Sequence, residues 1–449
     1  MAKPLFIYTF LGGNAMSYAE KLKKILYDTI SEVDREKSNY VLNPSTDFIR
    51  KRKIGFEDIL KFIISIQNDS IKRELMNYYN FSLDMPTDAA LNQQRAKILP
   101  KAFECVFKKF NKHIHEENFY HGYRLLACDG SSLAIAKNVN DSETYCHNKK
   151  EGYNLLQLNA MYDLLNNFYV DAIIQPIHMK NEQAAFCEMV DRYGSETDSK
   201  TIFIADRGFA CFNSYAHVQE QNMKYVIRTK DFKSTGKIAG IKFPDSEEFD
   251  VVHKIVLSHG RKRGDTEHKY MNRHTKFDFL RENIPYPITI RFLRFKIPGT
   301  NTYECIATNL PKEFTVEQIC DIYRLRWGIE TAFRDTKYAI GLEKFHSKKR
   351  EFVEQEIWAK LILYNFCGAI STFLKSEKLN EKKETKCNYQ MNFSTIICLC
   401  KFFIAREPSI SAFNLEQIVL KTILPVRRGR SFPRIKSPHK PVSFSYRNS

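Results

Sequence analysis

The sequence predicts an α/β protein: a mixed sheet with helices on both faces, preceded and followed by helical regions. Three observations carry this. Residues 17–115 hold helical periodicity, short apolar β-rich runs alternate with helical patterns from Gly122 onward, and long apolar helical stretches return from Phe352.

The N-terminal part opens with the amphipathic stretch Tyr18–Ile30, then a second helical run over Asp47–Ile71 that begins with the basic block Arg50-Lys51-Arg52-Lys53. Pro86-Thr87-Asp88 predicts a turn and helix cap, and Leu91–Ile114 a helical run that Pro100 breaks or restarts. Short helices around a basic block suit DNA docking, and the same composition equally describes a solvated charged bundle. Arg124–Cys128 and Leu133–Ala136 read as two strands around Asp129-Gly130-Ser131-Ser132, followed by strands at Tyr153–Leu165 and Tyr169–Pro176. A helix at Asn181–Tyr193, a strand at Thr201–Ala205, a helix to Glu220 and a strand at Lys224–Arg228 follow, the order of a three-stranded antiparallel unit feeding alternating helices and strands. Residues 230–300 read as a β-rich insertion, with strands at Val251–Leu257, Glu267–Tyr270 and Ile288–Phe295, and Tyr303–Asn309 resumes the sheet. Thr315-x-x-Gln318 has the form of a capping box, opening a helix to about Tyr338 with Gly341 as its stop. Helices follow at Phe352–Leu374, Phe393–Phe403 and Leu415–Leu424, and Arg427, Arg428 and Arg430 open an extended basic tail. The expected domains are 1–118, 119–370 and 371–449.

The charge balance narrows the partners. The chain carries 69 Lys and Arg against 52 Asp and Glu, a formal +17. Such a surplus favours a polyanion, above all nucleic acid. The eleven cysteines form no C-x-x-C pair, which predicts a reduced, cytoplasmic chain with neither a disulfide framework nor a zinc site. No signal peptide is read at the N-terminus, and the apolar run Phe393–Phe403 is too short to span a bilayer.

Tyr323, Arg326, Glu330 and Lys337 recur at offsets of three, seven and fourteen. At about 100° per residue they share a helix sector of about 60°. Arginine forks onto phosphate oxygens, lysine supplies a point charge and tyrosine a hydroxyl donor. Trp327 falls away from the charged members and is expected in the core. Asp129 and Asp206 each end a predicted hydrophobic strand, where open α/β sheets expose functional groups. Brought together with Glu330, they would repel unless hard divalent cations neutralised them. Each also has a plainer role, Asp129 as a turn residue, Asp206 as a cap and Glu330 as a surface partner of Arg326 or Arg334. Asp141, Asp163, Asp171 and Asp191 stay open as alternatives. Arg228, at a strand end, is a further candidate phosphate contact.

Asp129-Gly130-Ser131, Asp206-Arg207-Gly208-Phe209 and Tyr323-x-x-Arg326-x-x-x-Glu330-x-x-x-x-x-x-Lys337 together resemble the signature of the DDE transposases of bacterial insertion sequences, in the subgroup marked by Tyr-Arg-Glu-Lys. The likeness covers about Gly122 to Asn365. It implies a ribonuclease-H-like core interrupted by a β-rich insertion, with a helical N-terminal DNA-binding module and a helical C-terminal region. It also implies catalytic Asp129, Asp206 and Glu330 holding two Mg²⁺ or Mn²⁺ ions, with Tyr323, Arg326 and Lys337 gripping the DNA end. Arg228, the block Arg50, Lys51, Arg52 and Lys53, and the tail residues Arg427, Arg428 and Arg430 would add DNA contacts. The implied activity is cutting at terminal inverted repeats, through hairpinned ends, and joining to target DNA by a homodimer associated with the nucleoid. A structure-specific endonuclease and an inactive DNA-binding relative are the alternatives. Relatives stack a flipped base on a Trp of the insertion; with no Trp there, Phe277, Phe279 or Tyr286 would have to serve.

Overall fold

The centre of the fold is one mixed ten-stranded sheet, seen in a computed structural model. It describes residues 16–114, 118–147, 152–197, 200–232, 241, 243–259, 268–272, 274–280, 284–297, 299–380, 389–406 and 414–425. Strand β1 (Arg124–Ile135) pairs antiparallel with β3 (Tyr153–Asp163), which also carries the short β2 (Tyr145–Cys146) and β4 (Phe168–Pro176). On its other side β1 pairs parallel with β5 (Thr201–Ala205), and β5 pairs parallel with β6 (Lys224–Arg228).

The two strands expected on either side of Asp129 are one. β3 offers an unbroken antiparallel partner from Leu126↔Asp163 to Ile135↔Asn154, so the backbone pairs straight through Gly130 and Ser131. Gly130 suits a strand here because a Cβ would approach the Gln157 amide nitrogen to 2.4 Å. The segment expected as an insertion is β-rich and extends the same sheet. Strands β7 (Phe249–Ser258), β8 (His268–Tyr270) and β9 (Tyr286–Lys296) join it through β10 (Tyr303–Thr308), which pairs with β6.

Alternation along β1 sends Leu126 and Cys128 to one face and Leu125 and Ala127 to the other. The first face is covered by α6 (Glu182–Glu196) and α7 (Phe212–Glu220). The second is covered by α8 (Val316–Leu325), α9 (Trp327–Arg334) and α10 (Arg350–Asn380). The N-terminal helices α1 (Tyr18–Arg35), α2 (Phe56–Ser65), α3 (Ile71–Tyr78), α4 (Asp88–Arg95) and α5 (Pro100–Asn111) pack around α10. Phe107 meets Trp358 at 5.3 Å and Phe110 stacks on Phe366.

The C-terminal helices α11 (Phe393–Ala405) and α12 (Leu415–Lys421) close the same bundle. Lys23 donates to the Phe403 carbonyl at 2.8 Å, and Glu416 accepts from the Ala19 amide at 2.9 Å. Residue 118 ends no separate core, and residue 370 lies inside α10. The run Phe393–Phe403 is read as too short to span a bilayer, but α10 is by length and composition apolar and long enough to cross one. Its most apolar window is 89% buried within the protein, which makes it the bundle's axis.

The basic block Arg50–Lys53 does not start a helix. Asp58 accepts from the Gly55 amide at 2.9 Å and fixes the start of α2 at Phe56, leaving the four cations exposed in the preceding segment. The basic tail lies outside the described residues.

A buried ion pair ties this bundle together. Arg95, 1% exposed, donates to Glu356 at 3.1 Å, to Gln355 at 2.7 Å and to the Phe352 carbonyl at 2.8 Å. Burial would raise the Glu356 carboxyl, but His346 and Arg95 beside it outweigh that and hold it down at about 2. Removing one partner of such a pair leaves a buried charge uncompensated. Arg95→Ala is therefore expected to cost about 3–5 kcal/mol in urea unfolding, while Arg73→Ala, from the exposed pair with Asp69, should cost less than about 1 kcal/mol.

Candidate active site

Parallel pairing of β1 with β5 ends at Cys128↔Ala205, so Asp129 and Asp206 are the next residues on adjacent strands. Asp129 continues in β1 and belongs to the sheet face that carries α9. Its Oδ1 accepts from the Gly130 amide at 2.8 Å. Asp206 leaves the sheet, and its Oδ1 accepts from the Gly208 amide at 2.7 Å, so it does cap the short turn Arg207–Phe209.

The third carboxylate arrives on a helix that is not continuous. The Thr315 capping box forms, with Gln318 accepting from the Thr315 amide at 3.0 Å and Thr315 from the Gln318 amide at 3.3 Å. At Arg326 the ladder tightens to i→i−3: Arg326 donates to the Tyr323 carbonyl, and Ile329 to the Arg326 carbonyl, both at 3.1 Å. α9 then widens into a π turn over Asp335–Ile340, and Gly341 ends it at φ 92°. Trp327 is consequently 57% exposed, not in the core. The buried face of α9 is set by Ile329, Ala332 and Phe333, and Trp327 stands about 200° from Ile329.

Arg326 bridges two acids. It donates to Glu330 Oε1 at 2.8 Å and lies 3.5 Å from Asp129 Oδ2. Burial pushes the Asp129 carboxyl up to about 6, with Asp206 and Glu330 adding to the rise against the pull of Gly130 and Arg326. Tyr323 is 5% exposed and Arg326 7% exposed. The Tyr323 hydroxyl and Arg326 Nε find no hydrogen-bond partner of normal geometry among the described residues. Lys337 donates to the Ser132 carbonyl of β1 at 3.0 Å, and burial lowers its pKa.

Arg228, at the end of β6, is held by Glu304 through Nε at 3.2 Å. Arg50 and Arg52 lie far along the chain in the N-terminal bundle, lining a cavity of about 430 Å³ with Gln94 and Lys97. The aromatics expected to replace an insertion Trp are packed on one another. Phe277 is buried and meets Tyr286 at 5.2 Å, Phe279 lies 5.8 Å from Tyr286, and the Tyr286 hydroxyl donates to Glu220. Trp327, which sequence reasoning assigned to the core, is the exposed ring beside the carboxylates, with the Arg326 guanidinium 5.5 Å from its centroid.

The other acids left open are committed elsewhere. Asp163 pairs with Arg124 at 2.6 Å, Asp171 with Arg192 at 2.8 Å, Asp191 with His217 at 2.8 Å, and Asp141 lies 3.8 Å from Arg350. The donors Asp129, Asp206 and Glu330 suit a hard divalent cation by chemistry. In this arrangement Arg326 takes the neutralising place between two of them, and among the described residues no group of three acids, histidines or cysteines is spaced to ligate a metal.

A family model for the transposase DDE domain matches residues 120–366, more than half of the chain, and the chain belongs to that family. Its relatives include transposases of insertion sequences. The transposase of element IS231E from Bacillus thuringiensis subsp. finitimus is 33% identical over 96 residues, 21% of this chain and 20% of the relative. The putative transposase InsL of IS186A from Escherichia coli K12 is 40% identical over 58 residues, 13% and 16% of the two chains. The transposase InsG of IS4 from the same strain is 25% identical over 157 residues, 33% and 34%. The chain thus spans about a fifth of the length of the IS231E relative. A cryo-EM structure of a piggyBac transposase synaptic complex with hairpin DNA is similar at a TM-score of 0.45 and 9% identity, over 92% of this chain and 87% of that one.

An acid whose pKa rises on folding binds an extra proton in the folded state. Asp129 therefore contributes a loss of stability as pH rises from its ordinary 3.8 through about 6. In a chelator, Asp129→Asn is expected to stabilise the protein at pH 8 by on the order of 2 kcal/mol, read from denaturant midpoints, and to leave stability at pH 3.5 almost unchanged.

Proposed function

We propose that this protein is a DNA transposase that cuts and joins the ends of an insertion sequence, with Asp129, Asp206 and Glu330 as its catalytic carboxylates. The observation that carries the reading is their convergence: strands β1 and β5 deliver two aspartates at one level, and α9 brings Glu330 onto the same guanidinium as Asp129. The strand order β4-β3-β1-β5-β6, antiparallel on one side of β1 and parallel on the other, supports a ribonuclease-H-like core. Strands β7 to β9 then stand as the insertion before the glutamate-bearing helix.

Asp129, Asp206 and Glu330 would hold two Mg²⁺ or Mn²⁺ ions, which when bound activate the attacking oxygen and stabilise the leaving one. The protein's own groups handle the DNA. A buried donor without a partner costs about 1–3 kcal/mol, and the Tyr323 hydroxyl and Arg326 Nε are two such donors at the site. A DNA phosphate would satisfy both and draw Arg326 away from the acids. Lys337, anchored at Ser132, supplies positive charge beyond Glu330 along β1. Trp327 offers an exposed face on which an unstacked base can lie, a route to hairpinned ends.

Arg50, Lys51, Arg52 and Lys53 would grip DNA further from the carboxylates, and Arg427, Arg428 and Arg430 would do so from the tail. A homodimer would hold two element ends and a target together. The test is joining of the DNA segments that flank the gene to a plasmid in Mn²⁺. Glu330→Gln is expected to lower the rate by about 10²-fold or more, with DNA affinity retained; activity equal to the parent protein would refute the assignment of Glu330.

A further inference from the structure

The π turn that carries Lys337 is tied down at both ends. At its start the Thr336 hydroxyl donates to the Ala332 carbonyl at 2.8 Å, which leaves the buried Tyr169 hydroxyl of β4 to donate to Thr336 at 3.0 Å. At its end the Leu342 amide donates to the Thr336 carbonyl at 3.0 Å, and Gly341 turns the chain left-handed. Those contacts already stop the helix.

Two ammonium groups are added to the same end from other helices. Lys360 of α10 donates to the Gly341 carbonyl and, at 3.0 Å, to the Lys344 carbonyl. Lys401 of α11 donates to the Ile340 carbonyl at 3.3 Å. Both side chains are buried, and burial opposes their charge, pulling the Lys360 pKa down to about 8 and lowering that of Lys401. Glu356 and Glu74 support the Lys360 charge, while Lys401 and Arg95 oppose it. A cation at a helix C-terminus is drawn to the carbonyl ends of its dipole. A helix that needed only a stop has no use for two buried ones.

The helix they hold carries Glu330 and Lys337. In a continuous α-helix residues seven apart share a face. Here the wider π turn lies between Glu330 and Lys337, so their relative direction depends on how that turn is held. We propose that Lys360 and Lys401 are positioning residues for the reaction. By gripping the Ile340, Gly341 and Lys344 carbonyls they fix the end of the α9 helix against α10 and α11, and so fix Glu330 and Lys337 over β1. The inference rests on the reading of Glu330 as a catalytic carboxylate. Lys401 lies beyond the residues 120–366 matched by the family model, which gives the C-terminal helices a part in the chemistry.

The test compares Lys360→Met and Lys401→Met with Lys23→Met, all in the full chain. Methionine keeps an unbranched apolar stem and removes the ammonium. Lys23 is the matched control, a buried lysine that donates to the Phe403 and Arg406 carbonyls at the end of α11 and not of α9. Urea midpoints, affinity for the gene-flanking DNA, its cleavage rate in Mn²⁺ at saturation and deuterium exchange at the Leu342 amide are measured for each. Lys360→Met is expected to cut at saturation about tenfold or more slowly, with affinity retained and Leu342 exchanging faster. Lys23→Met should lose stability yet cut at the parental rate. A folded Lys360→Met that cuts at the parental rate, or an equal loss of rate in Lys23→Met, overturns the proposal. Where Lys360→Met does not fold, Lys401→Met, which removes a single bond, is judged by the same two outcomes. If the parent protein does not cut, the transposase reading fails, and the Leu342 amide still decides the anchoring. Exchange faster in Lys360→Met than in Lys23→Met upholds it, and equal exchange overturns it.

Discussion

The arrangement of this protein's candidate site depends on one constraint, the register of β1 against β5. Parallel hydrogen bonding stops at Cys128 and Ala205, and the next residue on each strand is an aspartate. A one-residue slip would turn Asp129 to the opposite face of the sheet, away from α9 and towards the apolar cluster of Phe186 and Phe203. The register is held from both sides. Leu126 and Cys128 pack beneath α6, while Leu125 and Ala127 pack beneath the helices that bring Glu330. The hydrophobic alternation of a single strand thus decides where the carboxylates stand.

Negative charge concentrated in this way needs a counter-charge, and Arg326 supplies it. The tightened turn at Arg326 lets the guanidinium reach both Asp129 and Glu330, and the same turn leaves Trp327 on the surface. A raised Asp129 pKa and two unsatisfied donors are local costs that a merely structural ion pair would avoid. The stable surroundings can carry them. α10 is wrapped by helices from both ends of the chain and locked by Arg95 and Glu356, and the buried Lys360 donates to the Gly341 and Lys344 carbonyls just past the π turn.

Much of this was legible in the sequence, and the failures have physical causes. Strands β5 and β6 were readable to the residue because short apolar runs end in clear turn signals there. The Thr315 capping box was readable because it is local. The break at Arg326 was not, since nothing in Leu325-Arg326-Trp327 disfavours a helix; tertiary contact with Asp129 selects it. Likewise Asp129-Gly130-Ser131-Ser132 has turn composition, and only a distant partner, β3, keeps it extended. The shared core of the N-terminal helices and α10 is a property of contacts hundreds of residues apart.

The central claim is that Asp129, Asp206 and Glu330 form one metal-binding, DNA-cutting centre from which Arg326 is drawn away when DNA and cations arrive. Anomalous diffraction from Mn²⁺-containing crystals of a protein–DNA complex tests it most directly. The account predicts Mn²⁺ peaks ligated by those three carboxylates, with the Arg326 guanidinium turned onto a DNA phosphate. Crystals of a cleavage-competent complex with Mn²⁺ ligated elsewhere, and Arg326 still bridging Asp129 and Glu330, would contradict it.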